Sequence, residues 1–79
     1  MSVDIKALQQ ALKDAGIAPA NGGEWLADVP LLRQGLDSID FPAFIALLED
    51  RFKVSISDAE MMRLRTLNDF AAFLDGKAG

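Results

Sequence analysis

An all-α fold is what this sequence predicts: a small four-helix bundle of three longer helices and one short third helix, with a long loop between the first two. Three observations carry it. Apolar residues recur at helical spacing in three stretches, no stretch alternates as a half-buried strand would, and the twenty residues from Gly16 to Gly35 are broken up by glycine and proline. The length of 79 residues suits one domain over 1–79, because a second core needs a longer chain.

The first helix is capped by Ser2 and has Asp4 in its first turn, where a negative charge suits the unpaired N–H groups. Ile5, Leu8, Leu12 and Ala15 form its apolar stripe, and Gly16 is its natural stop. In the loop, Trp25, Leu26, Val29, Leu31 and Leu32 are the expected anchors across the helices. The second helix is expected from Ile39 to Phe52, with Phe41, Phe44, Ile45, Leu48 and Phe52 on one broad face. Pro42 sets its start, since proline is tolerated only where the N–H is unpaired anyway. Val54 and Ile56 turn inward from an extended connection, and a short helical turn covers 58–64. Thr66 and Asp69 make an acidic capping box for the last helix, whose face is Leu67, Phe70, Ala71 and Leu74 and whose end is Gly76.

Composition excludes several functions. Twelve acidic against eight basic residues give a net charge of −4, the wrong sign for gripping nucleic acid by its phosphates. There is no Cys, hence no disulfide, thiolate nucleophile or cysteine-held metal, and no His, the commonest general base. Calcium binding fails for want of a loop of alternating acids. No apolar run approaches the roughly 18 residues of a membrane span, and no signal-peptide pattern is present. A monomeric cytoplasmic protein without catalytic residues is expected.

One segment stands out: Gly35-Leu36-Asp37-Ser38-Ile39-Asp40-Phe41, where the long loop meets the second helix. The glycine permits a tight turn, and the Ser38 hydroxyl is expected at an exposed helix N-terminus, a favourable place for a phosphoester. A plain helix cap explains the same Asp-Ser pair, and the two roles can coexist.

With its surroundings the segment resembles the acyl carrier protein family. GLDSIDFPAFIALLEDRF resembles the family's signature and following helix, VSISDAE its turn into a short third helix, TLNDFAAFL its last helix, and DVPLL the loop before the motif. The resemblance covers nearly the whole chain. It implies that Ser38 carries 4′-phosphopantetheine, placed there from coenzyme A by a phosphopantetheinyl transferase. The arm's thiol would hold acyl groups as thioesters for acyl-transferring and ketosynthase-type enzymes of fatty acid, polyketide or related biosynthesis. The protein would then be a carrier and not an enzyme. A small helical adaptor domain without a prosthetic group is the alternative, and it leaves the placement of the motif to chance.

Charge is unevenly spread. Residues 37–50 hold Asp37, Asp40, Glu49 and Asp50 and no base, whereas 51–65 hold four bases against two acids. With Ile39 as an apolar contact, the four acids are the recognition residues that the resemblance implies, steering the carrier to basic patches on partners. Phe44, Ile45, Ile56, Met61 and Leu64 read first as core. The family can shelter an acyl chain between its second and third helices, so the same five are its pocket candidates, and both roles stay open. Departures from the family are Ala43, Met62 and Arg63 where acids are usual, Arg51 ending the acidic cluster, and Pro42 in the recognition helix. They point to a carrier dedicated to one pathway.

Overall fold

Caps and breakers set the helix limits. In the computed structural model, which describes residues 3–78 apart from the side chain of Ala78, the elements are α1 (Ile5–Asp14), a 3₁₀ turn (Leu31–Gln34), α2 (Asp40–Phe52), α3 (Asp58–Met61) and α4 (Leu67–Ala78). No strand occurs among the described residues. The all-α bundle is as the apolar spacing requires.

Ser2, expected to cap α1, lies outside the described residues. Asp4 holds the N-cap position instead of sitting inside the first turn, and its carbonyl accepts the Ala7 and Leu8 N–H groups. The helix closes at Gly16, at φ 77°, where the Ile17 N–H reaches the Leu12 carbonyl at 2.9 Å and the Gly16 N–H reaches Lys13 at 2.9 Å. That pair of bonds is the glycine-ended helix stop, and it turns Ile17 back onto Leu12 in the core.

Two capping boxes start the short third and the last helix. At α3 the Ser57 hydroxyl accepts the Glu60 N–H at 3.1 Å, and the Glu60 carboxylate accepts the Ser57 N–H at 3.0 Å. At α4 the Asp69 N–H bonds the Thr66 hydroxyl at 3.0 Å, and the Asp69 carboxylate accepts the Thr66 N–H at 3.2 Å. Helix α3 ends at Met61, short of Leu64, because the next N–H groups bond three residues back, Arg63 to Glu60 and Leu64 to Met61. Helix α4 does not stop at Gly76. A helical glycine costs only about 1 kcal/mol against alanine, and Lys77 anchors the final turn to Glu60 at 3.2 Å.

The core gathers Leu8 and Leu12 from α1, Phe44, Ile45 and Leu48 from α2, and Leu67, Phe70 and Leu74 from α4. Helix α1 packs against both α2 and α4. Ala15 is exposed, because the helix has already turned at Gly16, and Phe41 and Phe52 are only half-buried.

Of the expected loop anchors, Trp25 and Leu31 are buried and Val29 is half-buried, but Leu26 and Leu32 are 51% and 60% exposed. Ile17 and Leu36 take their places in the core. Polar bonds hold the rest of the loop. The Gln34 side chain accepts from the Leu26 N–H and donates to the Leu26 and Val29 carbonyls. The Gln9 amide donates to the Trp25 carbonyl at 2.7 Å. Bonds from the Leu31 N–H to Arg65 and from the Asn68 N–H to Ala27 then fasten the loop to the segment around the start of α4.

Two ion pairs join helices: Arg51 with Asp14 at 2.7 Å, and Lys77 with Glu60. The Ser57 N–H, aided by Lys77, holds the Glu60 carboxyl below its usual range. Arg51 and Gln10 do the same for Asp14. Both groups have folded pKa values below their unfolded ones. Their contribution is therefore present above the unfolded carboxyl range and lost as pH falls through the folded values. The thermal midpoint should fall on acidification below about pH 4. Glu60→Gln should flatten that part of the profile in a pH series of melts, while an unchanged slope would assign the loss to other carboxylates.

Candidate functional site

The approach to α2 is built on Leu36 and Gly35. Leu36 is buried and pins the turn to the core. Gly35 has φ 103°, in the left-handed region, and the Ala20 N–H bonds the carbonyl of neighbouring Gln34 at 2.8 Å. A Cβ on Gly35 would stand 2.7 Å from the Ala20 Cβ and 2.9 Å from the Ala20 nitrogen. The glycine is thus demanded by the close passage of the loop as well as by the turn. Gly35→Ala should cost about 2–5 kcal/mol by summing left-handed strain and overpacking. Urea unfolding checks it, and an unchanged midpoint would mean that the loop moves aside freely.

Asp37 then caps the helix. Its backbone carbonyl accepts the Asp40 and Phe41 N–H groups, each at 3.0 Å, and its carboxylate accepts the Ile39 N–H at 3.1 Å. These are the bonds of an N-cap residue, set just ahead of the regular span of α2. Ser38 is left exposed, and its hydroxyl reaches the Asp37 carboxylate only at 3.5 Å, the outer limit of a hydrogen bond. Cap and free hydroxyl are divided between two residues. Ile39 is 80% exposed, and half-buried Asp40 completes the cluster in the first turn.

Glu49 and Asp50 stand at the other end of α2, about 14 Å or more from Asp40 along the axis at the helical rise per residue. Nine residues of rotation set Glu49 on about the opposite side of α2 from Asp40. The Glu49 carboxylate accepts the Ile56 N–H at 2.8 Å, holding the connection to α3, and Asp50 meets Lys53 at 3.9 Å. Asp37, Ile39 and Asp40 are therefore brought together with Ser38, while Glu49 and Asp50 are not.

Phe44, Ile45, Ile56 and Leu64 are buried and Met61 is half-buried. Met61 and Leu64 line a groove of about 410 Å³ that also takes in Phe41, while Phe44, Ile45 and Ile56 do not line it. A larger cavity, about 690 Å³, lies between α1 and the loop and is lined by Lys6, Lys13, Ile17, Glu24 and Trp25 among others. No residue of the 35–41 motif lines it. Among the described residues no three acids gather as a metal site, and no helix is long and apolar enough to cross a membrane.

Comparison with protein families matches the phosphopantetheine attachment site over residues 6–74. The chain belongs to that family, the acyl carrier protein domain. No curated protein and no solved structure matched it. The family's group is 4′-phosphopantetheine, covalently attached. The turn at residues 37–41 fits attachment of such a phosphodiester through its hydroxyl: Ser38 is exposed with no firm partner, while the Ile39, Asp40 and Phe41 N–H groups are already taken by Asp37 and Pro42 has none. The Gln34 clasp of the loop has no signature in the sequence, whereas the Ser57 cap of α3 has one, Ser57 followed by Glu60 being a legible capping pair.

Proposed function

We propose that this chain is a carrier and not an enzyme: it takes a 4′-phosphopantetheine arm from coenzyme A on Ser38 and presents acyl groups to biosynthetic enzymes. The observation that supports Ser38 is its spare hydroxyl. Ser57 and Thr66 spend theirs on helix caps, and Ser55 lies in the extended connection before α3. In the transfer, the Ser38 Oγ attacks the arm's phosphorus in coenzyme A. The Oγ–P bond forms, the bond to the departing adenosine bisphosphate breaks, and the hydroxyl proton passes to a base of the transferase. The arm supplies a thiol for thioester chemistry that a chain without cysteine lacks.

The experiment is incubation with coenzyme A and a broad-specificity phosphopantetheinyl transferase, read by intact mass. One added arm is expected. No gain under conditions that load a control carrier would favour the adaptor reading.

Asp37, Ile39 and Asp40 form the docking contact around Ser38; Asp50 adds negative charge from farther along α2, whereas Glu49, proposed from sequence for the same contact, is turned away and tied to the Ile56 N–H. Partners are the transferase and ketosynthase-type or other acyl-transferring enzymes of fatty acid, polyketide or related synthesis, bearing basic patches. Asp37→Lys or Asp40→Lys should slow arm transfer, and salt should slow the native protein, since screening acts over about 10 Å at 0.1 M. Rates indifferent to both changes would leave the acids merely solvated. The interrupted acidic face, with Ala43 and Arg63 in place of acids and Glu49 tied to Ile56, supports a carrier dedicated to one pathway. Elongation by fatty-acid ketosynthases as fast as that of a strongly acidic carrier would refute that dedication.

A further inference from the structure

The groove beside the first turn of α2 has a chemistry of its own. Its apolar lining includes Leu32, Phe41, Met61 and Met62, and its volume of about 410 Å³ falls within the range of about 300–1,000 Å³ typical of small-molecule sites. Leu32 and Met62 are 60% and 76% exposed, so apolar surface stands open there. Two cations, Arg33 and Arg65, also line it, and among the described residues no acid does. The Leu31 N–H bonds the Arg65 carbonyl at 2.8 Å, joining the 3₁₀ turn to the segment after α3. That bond keeps the two arginine-bearing segments side by side.

Neither arginine has a carboxylate within ion-pair distance among the described residues, whereas Arg51, Lys53 and Lys77 each do. The acid nearest Arg65 in sequence, Asp69, turns its carboxylate to the backbone N–H groups of Arg65 and Thr66. An apolar trough with two unpaired guanidinium residues fits an apolar chain that ends in an anion. Phe41 joins this groove to the proposed attachment point, since it follows Ser38 by three residues, about one helical turn.

We infer that the groove receives the far end of an acyl cargo bearing a distal carboxylate, paired with Arg33 and Arg65. The inference rests on the carrier reading above. Carboxylate is the natural anion for such a cargo. A dicarboxylic chain joined to a thiol through one end keeps its other end as a free carboxylate, which the planar guanidinium fork matches in two parallel hydrogen bonds. A plain acyl chain would use the trough and leave both cations idle.

The test loads the full chain with octanoyl, suberyl and suberyl methyl ester arms from the corresponding coenzyme A thioesters. Intact mass is read first. If no form loads, the carrier reading fails, and this inference with it. If all load, methyl NMR of Met61 and Met62 and the rate of thioester release by hydroxylamine decide the inference alone. The suberyl arm should shift both methyls and resist hydroxylamine about three- to tenfold better than the other two, a range consistent with two partly exposed ion pairs. Salt, or the combined Arg33→Gln and Arg65→Gln variant, should erase the difference. Both arginines are exposed, so the variant is expected to fold, and its backbone NMR spectrum checks this. Equal shifts and rates for the three arms would overturn the inference, as would a suberyl effect that survives the double variant. Protection of the octanoyl form alone would make the groove an ordinary apolar shelter and also overturn it.

Discussion

Ser38→Ala should abolish gain of the pantetheine arm and leave the fold as it is. The reason lies in how the turn before α2 divides its work. Were Ser38 the helix cap, its removal would cost about 0.5–2 kcal/mol and confuse a loading defect with a folding one. Here the cap bonds belong to Asp37, through both its carbonyl and its carboxylate, and Ser38 offers an exposed hydroxyl with one contact at 3.5 Å. Asp37→Ala should therefore show the converse pattern. It should lower the thermal midpoint by several degrees, at about 4–8 °C per kcal/mol for a domain of this size, and still gain the arm on long incubation. Mass spectrometry and melting curves on the two variants separate the roles. A mass gain that survives Ser38→Ala would move the attachment elsewhere, and a large loss of stability in the same variant would return the cap to Ser38.

The elements that could be read from sequence are those in which one period or one local bond decides the structure. The stripe of Leu8 and Leu12, the broad face of α2 and the Thr66–Asp69 box follow directly from helical spacing and capping chemistry, and all occur. The long loop was less legible because its order comes from contacts without a period. Gln34 holds it by bonding the carbonyls of Leu26 and Val29, and no pattern of residue types announces such a clasp. Hydrophobicity alone also misplaced Leu26 and Leu32. For Leu32 the reason is that only one side of a short 3₁₀ turn can face the core, and Leu31 takes it; Leu26 lies before that turn and is held through its backbone by Gln34. Gly76 shows the opposite limit, since a helix already packed through Leu74 and anchored by Lys77 tolerates a glycine in its last turn.

For the candidate site, the motif located its cluster but not its internal order. Asp37, Ser38, Ile39 and Asp40 were bound to be neighbours by sequence alone. Which of Asp37 and Ser38 would cap could not be told, because both side chains are competent acceptors. The four acids of 37–50 suggested a continuous face, yet helical rotation and the bond of Glu49 to Ile56 separate them. Among the pocket candidates the apolar spacing could not distinguish a residue wholly inside the bundle from one at its rim. Phe44 belongs to the first kind and Met61 to the second. The opening beside Met61 exists because the loop returns there, bonded at Leu31 to Arg65, a contact between segments distant in sequence.

Phe70→Ala should be the most damaging single truncation of the core. Phe52 shares the apolar face of α2, but it is only half-buried at the end of that helix, where a truncated side chain can be replaced by water. Phe70 is wholly buried in α4 and stands edge-on to two rings of α2, with centroids 5.3 Å from Phe44 and 6.1 Å from Phe41. It is the aromatic joint between the last helix and the helix that presents Ser38. Truncating a buried phenylalanine costs about 3–5 kcal/mol through lost transfer energy and the cavity left behind. At roughly 0.05–0.15 kcal/mol per residue, a domain of 79 residues has about 4–12 kcal/mol in all, so the variant should be partly or largely unfolded near physiological temperature. Phe70→Leu keeps most of the buried volume and loses mainly the ring contacts, worth about 0.5–1.5 kcal/mol for each aromatic pair. Chemical denaturation of both variants beside Phe52→Ala tests the ranking. The expected order of loss is Phe70→Ala, then Phe52→Ala, then Phe70→Leu. A Phe52→Ala loss equal to that of Phe70→Ala would show that α2 is held as firmly at its far end as at the aromatic joint.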